Sequence, residues 1–205
     1  MKHLEIECKW NANTPRAFNR AQSFLKQLSP LIPSKLKIKD TYLDHTTGDL
    51  AAQKIALRVR NTEGQWEATF KTRSEIKNGK AVRREENFPL PCVQNLAQAL
   101  RALAAQKKWC GIHTAGLEIK FTLANKRTLY SFIYEGAELE MALDDVTVYI
   151  LGRQVKFKEI EVELKRGKSE TLDKFARLFS QQTKLKRARI SKVKTAETLL
   201  KFWKG

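Results

Sequence analysis

Residues Leu4 to Trp10 read Leu-Glu-Ile-Glu-Cys-Lys-Trp. Side chains on a strand alternate between faces, so Glu5, Glu7 and Lys9 share one face and Leu4, Ile6, Cys8 and Trp10 the other. Lys158 to Lys165 repeats the pattern, with Glu159, Glu161 and Glu163 set against Ile160, Val162 and Leu164, and a third acidic run ends Glu140-Met141-Ala142-Leu143-Asp144. If the first and the late strands are neighbours in a closed sheet, these carboxylates meet on one wall as an all-oxygen donor set, the kind that Mg²⁺ or Mn²⁺ takes. The basic members of the charged faces are Lys9, Arg58, Arg60, Lys71, Arg83, Arg127 and Lys192. Guanidinium forks and ammoniums converging opposite a divalent metal are what binding a chain of phosphates requires. Any one stripe is equally the wet face of an ordinary surface strand; their number and their segregation by charge are what point to a site.

These residues need strands to carry them and helices to cover the other face. Thr14 to Leu28 has helical spacing, with Thr14 as N-cap, Pro15 at the first helical position and Ala17, Phe18, Ala21, Phe24, Leu25 and Leu28 on one stripe, before Ser29, Pro30 and Pro33 stop it. Val93 to Lys108 is a second helix, Ser169 to Gln181 a third with Ser169 as cap and Leu172, Phe175, Ala176 and Phe179 as its stripe, and Ala196 to Trp203 a short fourth. Strands are predicted at Lys37 to Asp44, Ile55 to Arg60, Gln65 to Lys71, Lys80 to Phe88, Leu117 to Leu123, Thr128 to Tyr134, Glu138 to Leu143 and Gln154 to Lys165, with turns at Glu63-Gly64, Asn78-Gly79 and Glu135-Gly136.

About eight or nine strands joined mostly by hairpins, with three or four helices, make an α+β protein whose antiparallel sheet is closed or nearly so. If the helices' apolar stripes lie on the outside of a barrel, the charged faces line its interior; a sheet with one wet face is the alternative. Parity puts Trp10 opposite the face of Lys9 and Trp66 opposite that of Lys71, so both belong to a core. Tyr42 shares parity with Asp44 and is either a lumen side chain or an ordinary cross-strand partner.

A chain of 205 residues suits one domain, taken as 1–205. Its net charge of +17 implies affinity for polyanions such as nucleic acid, polyphosphate or nucleotides. Lys2, Glu5, Glu7 and Lys9 exclude the apolar core of a signal peptide, and the longest uncharged run, Asn87 to Leu100, is too short and too polar to span a bilayer, so a cytoplasmic location is expected. Cys8, Cys92 and Cys110 are odd in number without CxxC spacing, which argues against a disulfide framework and a zinc site. His3, His45 and His113 have no paired spacing and are given no catalytic role.

Taken in order, Glu5-x-Glu7-x-Lys9, Arg58-Val59-Arg60, Thr69-Phe70-Lys71, Arg83-Arg84-Glu85, Arg127 followed by Tyr130, Glu140 with Leu143-Asp144, Glu159-Ile160-Glu161 and Ser191-Lys192 resemble the signature of the CYTH, or triphosphate tunnel metalloenzyme, superfamily over nearly the whole chain. The resemblance implies an eight-stranded antiparallel β tunnel, a closed barrel with helices packed on its outside, that binds a triphosphate with the help of Mg²⁺ or Mn²⁺. By position it implies Glu5, Glu7, Asp144, Glu159 and Glu161 as metal ligands, and after them Glu163 and Glu140. It implies Lys9, Arg58, Arg60, Lys71, Arg83, Arg127 and Lys192 as phosphate ligands, with Lys9, Arg58, Glu5 and Glu7 nearest the chemistry. Arg84 then faces outward and Glu85 orients neighbouring bases.

The superfamily includes inorganic triphosphatases, thiamine triphosphatases, class IV adenylyl cyclases and RNA triphosphatases. With no aromatic side chain clearly on the inner face, hydrolysis of inorganic tripolyphosphate to pyrophosphate and phosphate is the expected activity. A class IV cyclase, a thiamine triphosphatase and a non-catalytic polyphosphate- or RNA-binding module are the alternatives. The expected partner is the small triphosphate itself, with a homodimer allowed and neither a membrane nor a nucleic acid anticipated.

Overall fold

The computed structural model describes residues 2–14, 16–28, 31–72, 75–77, 80–188 and 191–204. Its strands are β1 (Lys2–Asn11), β2 (Ser34–His45), β3 (Ala56–Thr62), β4 (Gln65–Lys71), β5 (Glu75–Lys77), β6 (Lys80–Pro89), β7 (Lys108–Trp109), β8 (Ile112–His113), β9 (Leu117–Tyr134), β10 (Ala137–Ile150) and β11 (Arg153–Arg166). Its helices are α1 (Ala17–Leu28), α2 (Asp49–Ala52), α3 (Leu96–Ala104), α4 (Ser169–Thr183) and α5 (Lys192–Lys204).

Eight strands pair antiparallel in the order β1-β11-β10-β9-β2-β3-β4-β6, and β6 pairs back onto β1, so the sheet is closed. Closure depends on β1 serving two neighbours. Its first half runs against β6, from Lys2↔Glu86 to Glu7↔Ala81, and its second half against β11, from Glu7↔Glu163 to Asn11↔Glu159. The short β5 hangs on β6, and β7 and β8 form a separate small hairpin.

Several elements differ from the sequence reading, each for a local reason. The stretches 117–123 and 128–134 are one strand, because Asn125 and Lys126, polar enough to suggest a break, continue the ladder opposite Val146 and Asp145. Likewise β10 runs on to Ile150 and turns into β11 at Leu151-Gly152, where φ is 49° and 71°. Glu135-Gly136 has φ of 44° and 77°, so at both turns the two central residues are left-handed, as a type I′ hairpin needs. Ser169 is the first residue of α4 rather than its cap, and Lys168 in the cap position makes no side-chain capping bond, its ammonium having no acceptor to offer. The second helix is shorter than expected, starting at Asn95, whose side chain accepts from the Gln98 amide at 3.0 Å. The unforeseen α2 is tied down by Asp44, which accepts from the amides of Leu50 at 2.9 Å and Ala51 at 3.2 Å. Pro15, Ser29, Pro30 and the Asn78-Gly79 turn lie outside the described residues.

The apolar faces point out of the barrel, under the helices. α1 and α4 cover Cys8, Trp10, Leu139, Met141, Leu143, Ile160 and Val162 with Phe24, Leu25, Leu172, Phe175 and Phe179. Trp10 is fully buried, lies edge-on to Phe179 at 4.7 Å between centroids, and donates its indole N–H to Ser180 Oγ at 2.7 Å. α3 covers Leu57, Val59, Ala68 and Phe70, and Trp66 packs beside them. No described helix is long and apolar enough to cross a membrane.

Phe179 is fully buried and its ring meets Trp10, Phe24 and Phe175, so Phe179→Ala is expected to cost ~3–5 kcal/mol. Urea unfolding followed by circular dichroism reads the loss as a lower midpoint at unchanged slope.

Candidate active site

The same alternation that buries the outer face sends the charges inward. The lumen holds a cavity of 260 Å³ lined by Glu5, Glu7 and Lys9 from β1, Asp40 and Tyr42 from β2, Arg58 and Arg60 from β3, Glu67 and Lys71 from β4, and Arg83, Glu85 and Asn87 from β6. Asn125 and Arg127 from β9, Glu140 from β10, Glu161, Glu163 and Lys165 from β11, and Ser191 and Lys192 at the start of α5 complete it. All seven bases expected from the sequence therefore face one enclosed space. Arg84, next to Arg83, points outward as its parity requires and pairs with Glu86 at 3.4 Å.

Register sets acids against bases across neighbouring strands, the favourable cross-strand arrangement. Lys9 stands opposite Glu161, Glu5 opposite Arg83, Lys71 opposite Glu85, Asp40 opposite Arg60, and Asp144 opposite Arg127, while Asp144 also faces Glu159 and Glu163 faces Glu7 and Glu140. Lys9 reaches Glu161 and lies 3.1 Å from Glu7. Burial alone would lower the Lys9 pKa, but Glu161, Glu7 and Glu159 outweigh it and hold the ammonium above its usual range.

The acids do not form one cluster. Asp144, Glu159 and Glu161 each offer an oxygen within 4.8 Å of the others, and all sit well inside the protein. Glu5 instead accepts from Arg83 and, at 3.2 Å, from Lys71, which together hold its carboxyl well below the usual range against the opposing effect of burial. Glu7 is held between Lys9 and Arg83, both at 3.1 Å. Glu140 and Glu163 sit beside Lys165, at 4.0 and 3.0 Å, and burial pushes the Glu163 pKa up. Of the seven acids named from sequence, the described side chains bring these three together as a potential metal-holding group and engage the other four with bases around it.

Lys192 occupies the middle of that group. Its Nζ lies 2.9 Å from Asp144, 2.5 Å from Glu159 and 2.7 Å from Glu161, and it is raised well above its usual pKa by these carboxylates despite burial. Arg127 forks onto Asp144 with two bonds of 2.7 Å and reaches Glu161 at 3.1 Å. Burial pushes Glu159 up to about 7, even with Lys192 and Lys9 beside it. Three clustered carboxylates are an oxygen donor set of the kind a hard divalent cation takes, and the Lys192 ammonium holds the place such a cation would compete for.

Arg58 and Arg60 converge on a residue that sequence reasoning missed. Asp40 accepts from Arg60 Nε at 2.7 Å and from Arg58 at 3.1 Å, and although burial opposes it, the two guanidiniums hold its carboxyl far below the usual range. Its parity with Tyr42 was the available signal. Lys165 carries the same kind of signal, sharing parity with Glu159, Glu161 and Glu163. The Nε of Arg58 and the Oδ1 of Asn125 are buried with no hydrogen-bond partner, a donor and an acceptor left for something in the lumen.

One end of the lumen is apolar. α5 packs Val193, Ala196 and Leu200 against inward-facing Tyr42, Phe121, Leu123, Val146, Val148 and Phe157. Three aromatics are thus on the inner face, contrary to the sequence reading, but Tyr42 stacks on Phe121 at 4.8 Å and sits 3.5 Å from Arg58 through its hydroxyl. One ring face of Tyr42 is already used. From the lumen a wider recess of 1520 Å³ opens past Lys71, Arg83 and Ser191 towards Arg177, Arg187 and Lys201.

Comparison with known proteins places this architecture. The CYTH domain family model matches residues 3–196. The chain is similar to an inorganic triphosphatase of Haemophilus influenzae, 28% identical over 172 residues, which is 83% of this chain and 48% of that protein. It thus spans about half the length of that relative. Among solved structures, HpAC1 of Hippeastrum, a named adenylyl cyclase described as having a dominant triphosphatase activity, has a TM-score of 0.68 at 20% identity, covering 95% of both chains. The PH1819 protein of Pyrococcus horikoshii has a TM-score of 0.65 at 18% identity, covering 93% of this chain and 97% of that one. These two likenesses are of fold.

Ionised Asp40 adds stability that is complete above the unfolded-state carboxyl pKa of about 3.9 and is lost as pH falls through its lower folded-state value. Asp40→Asn leaves two guanidiniums without their partner and is expected to cost ~3–5 kcal/mol at neutral pH. Unfolding measured from pH 7 down to pH 2 should show the parent losing stability below about pH 4 more steeply than the variant.

Proposed function

The chain belongs to the CYTH domain family, and from that premise we propose that it hydrolyses a linear triphosphate with divalent-metal help, inorganic tripolyphosphate foremost, to pyrophosphate and phosphate. The observation that carries this reading is the meeting of three clustered carboxylates and a set of buried guanidiniums and ammoniums around one cavity of 260 Å³. A space somewhat below the ~300–1,000 Å³ of typical organic-ligand pockets favours a small inorganic chain over a substrate with a ring system. The Haemophilus influenzae relative, an inorganic triphosphatase by name, supports the same substrate.

Asp144, Glu159 and Glu161 are the residues that would hold Mg²⁺ or Mn²⁺, with Glu7 adjoining through Lys9. Such an ion supplies Lewis-acid neutralisation at the phosphoryl oxygens. The chain's own part is electrostatic and positional. Arg58, Arg60, Lys71 and Arg83 stand preorganised in a poorly solvated lumen, where fixed positive charges stabilise the charge that spreads over a phosphoryl group in transfer. Arg58 keeps its Nε donor open while Asp40 fixes its other end, so the fork is aimed before substrate arrives. Lys192, gripped by the acids, travels with α5 and so links the order of that helix to the state of the acidic group.

One observation favours a second reading. The 1520 Å³ recess shares Glu7, Lys9, Lys71 and Arg83 with the lumen and would take a nucleoside or a thiamine attached to the triphosphate. A class IV cyclase would attack with the ribose 3′-hydroxyl and release pyrophosphate.

Tripolyphosphate, thiamine triphosphate and ATP assayed side by side with Mg²⁺ and Mn²⁺ distinguish these readings. Fastest phosphate release from tripolyphosphate is expected, and cyclic AMP without free phosphate would overturn the hydrolase reading. Chelation should abolish turnover and either ion restore it. Glu161→Gln and Arg83→Ala are each expected to lower kcat about 100-fold or more, whereas a binding module without turnover would show no metal-dependent phosphate release to lose.

A further inference from the structure

The chain's positive charge is not in the tunnel. Among the described residues, eight bases and eight acids line the cavity, and Asp144 and Glu159 behind them bring the acids to ten, a formal −2. Against a total of +17, everything outside the tunnel carries a formal +19.

Much of it is arranged on one wall. The strands β2, β9, β10 and β11 put Asp40, Asn125, Val146 and Glu161 into the lumen or its apolar end, so the alternate residues face outward. On β2 these are Lys35, Lys37 and Lys39, all exposed. Register then lays two rows across the sheet. Lys37 stands opposite Lys126, Lys126 opposite Asp145, and Asp145 opposite Lys158; Lys39 stands opposite Ala124, Ala124 opposite Thr147, and Thr147 opposite Lys156. Lys35, Lys37, Lys39, Lys126 and Lys156 take part in no ion pair with a described residue, and the acid in these rows, Asp145, is 3.9 Å from Lys158. On the same outer face Tyr149 is 47% exposed, between Thr122 and Gln154.

Outward positions repeat about 6.6–6.8 Å apart along a strand, which separates the two rows, and neighbours within a row lie about 4.8 Å apart across the strands. Small side chains between them leave the face shallow. Repeated unpaired lysines with an exposed aromatic ring match a chain that offers regularly spaced phosphates together with flat bases. A bare phosphate polymer would have no use for the ring.

We propose that this outer lysine face binds single-stranded nucleic acid without sequence preference, the lysines taking the phosphates and Tyr149 stacking on a base. The site is separate from the tunnel and goes beyond the triphosphatase reading. It also departs from the expectation that no nucleic acid is a partner. Its failure and the failure of that reading are independent, because one is read by binding and the other by phosphate release.

The test is fluorescence anisotropy with a labelled oligouridine across a salt series, using the full chain. Lys37→Glu/Lys126→Glu/Lys156→Glu should bind at least about 10-fold more weakly and flatten the slope of log K against log salt by about 2, at roughly 0.7 per lost phosphate contact. The kcat of tripolyphosphate hydrolysis should be unchanged. Tyr149→Ala should weaken binding about five-fold, the low end of one base-stacking contact. Saturating tripolyphosphate should not displace the oligonucleotide. If the triple reversal does not fold, the Lys→Gln triple is read in its place. Parent-like binding by a folded triple variant, displacement by tripolyphosphate, or capture of phosphatidylserine vesicles with no binding of oligouridine would each overturn the proposal.

Discussion

Eight carboxylates and eight bases line one enclosed space, with Asp144 and Glu159 behind them, and the barrel tolerates them because bases from neighbouring strands and from α5 reach the acids. In a poorly solvated lumen an unpaired charge would cost far more than a mismatched apolar side chain. The requirement reaches outward from there. To keep acids opposite bases, the register of every barrel strand must be fixed, since a slip of one residue would send the charges into the helices and the core residues into the lumen. The outer packing under α1, α3 and α4 is therefore what holds the inner electrostatics in register.

Such pairs are a poor source of stability. Desolvating two ions generally offsets most of their attraction, and apolar replacements of similar volume often do as well or better. The polar lumen is better understood as a cost that the outer core supports, with Trp10, Phe175 and Phe179 supplying burial on the face opposite Lys9 and Glu161. What the lumen gains is preorganisation. Arg58 and Arg60 are held by Asp40, Lys71 by Glu85 and Glu5, and Arg127 by Asp144, so these cations are fixed in place before an anion enters.

Strand parity made most of this legible. Glu5, Glu7 and Lys9, and Glu159, Glu161 and Glu163, declare their face in a single strand because charge and apolarity alternate without interruption. Asp40 was harder, since it sits in Lys37-Ile38-Lys39-Asp40-Thr41, where both faces carry charge and no alternation marks the inner one. Polarity also misled at Asn125-Lys126, which reads as a loop yet continues β9, because a strand with a lumen on one side and water on the other can be polar on both. Which acids cluster was beyond sequence altogether. Glu5 and Glu161 belong to adjoining strands of one wall, but Glu5 is claimed by Lys71 and Arg83 and Glu161 by Lys9, Arg127 and Lys192, and only side-chain reach decides between them.

Net charge misleads in a different way, because a sum hides its distribution. A chain with a formal +17 invites the conclusion that its site is basic, yet the tunnel is formally acidic and the surplus lies outside. The two parts serve different steps. A positive exterior draws polyanions in over about one Debye length, which is long at low salt and shrinks as salt rises. The formally acidic interior favours an anion that enters together with cations over one that enters alone. Charge balance inside and steering from outside are thus separable by ionic strength. Raising monovalent salt should slow capture and leave the internal charge balance nearly untouched, because the ion pairs of the lumen are shielded from bulk screening by the barrel wall itself.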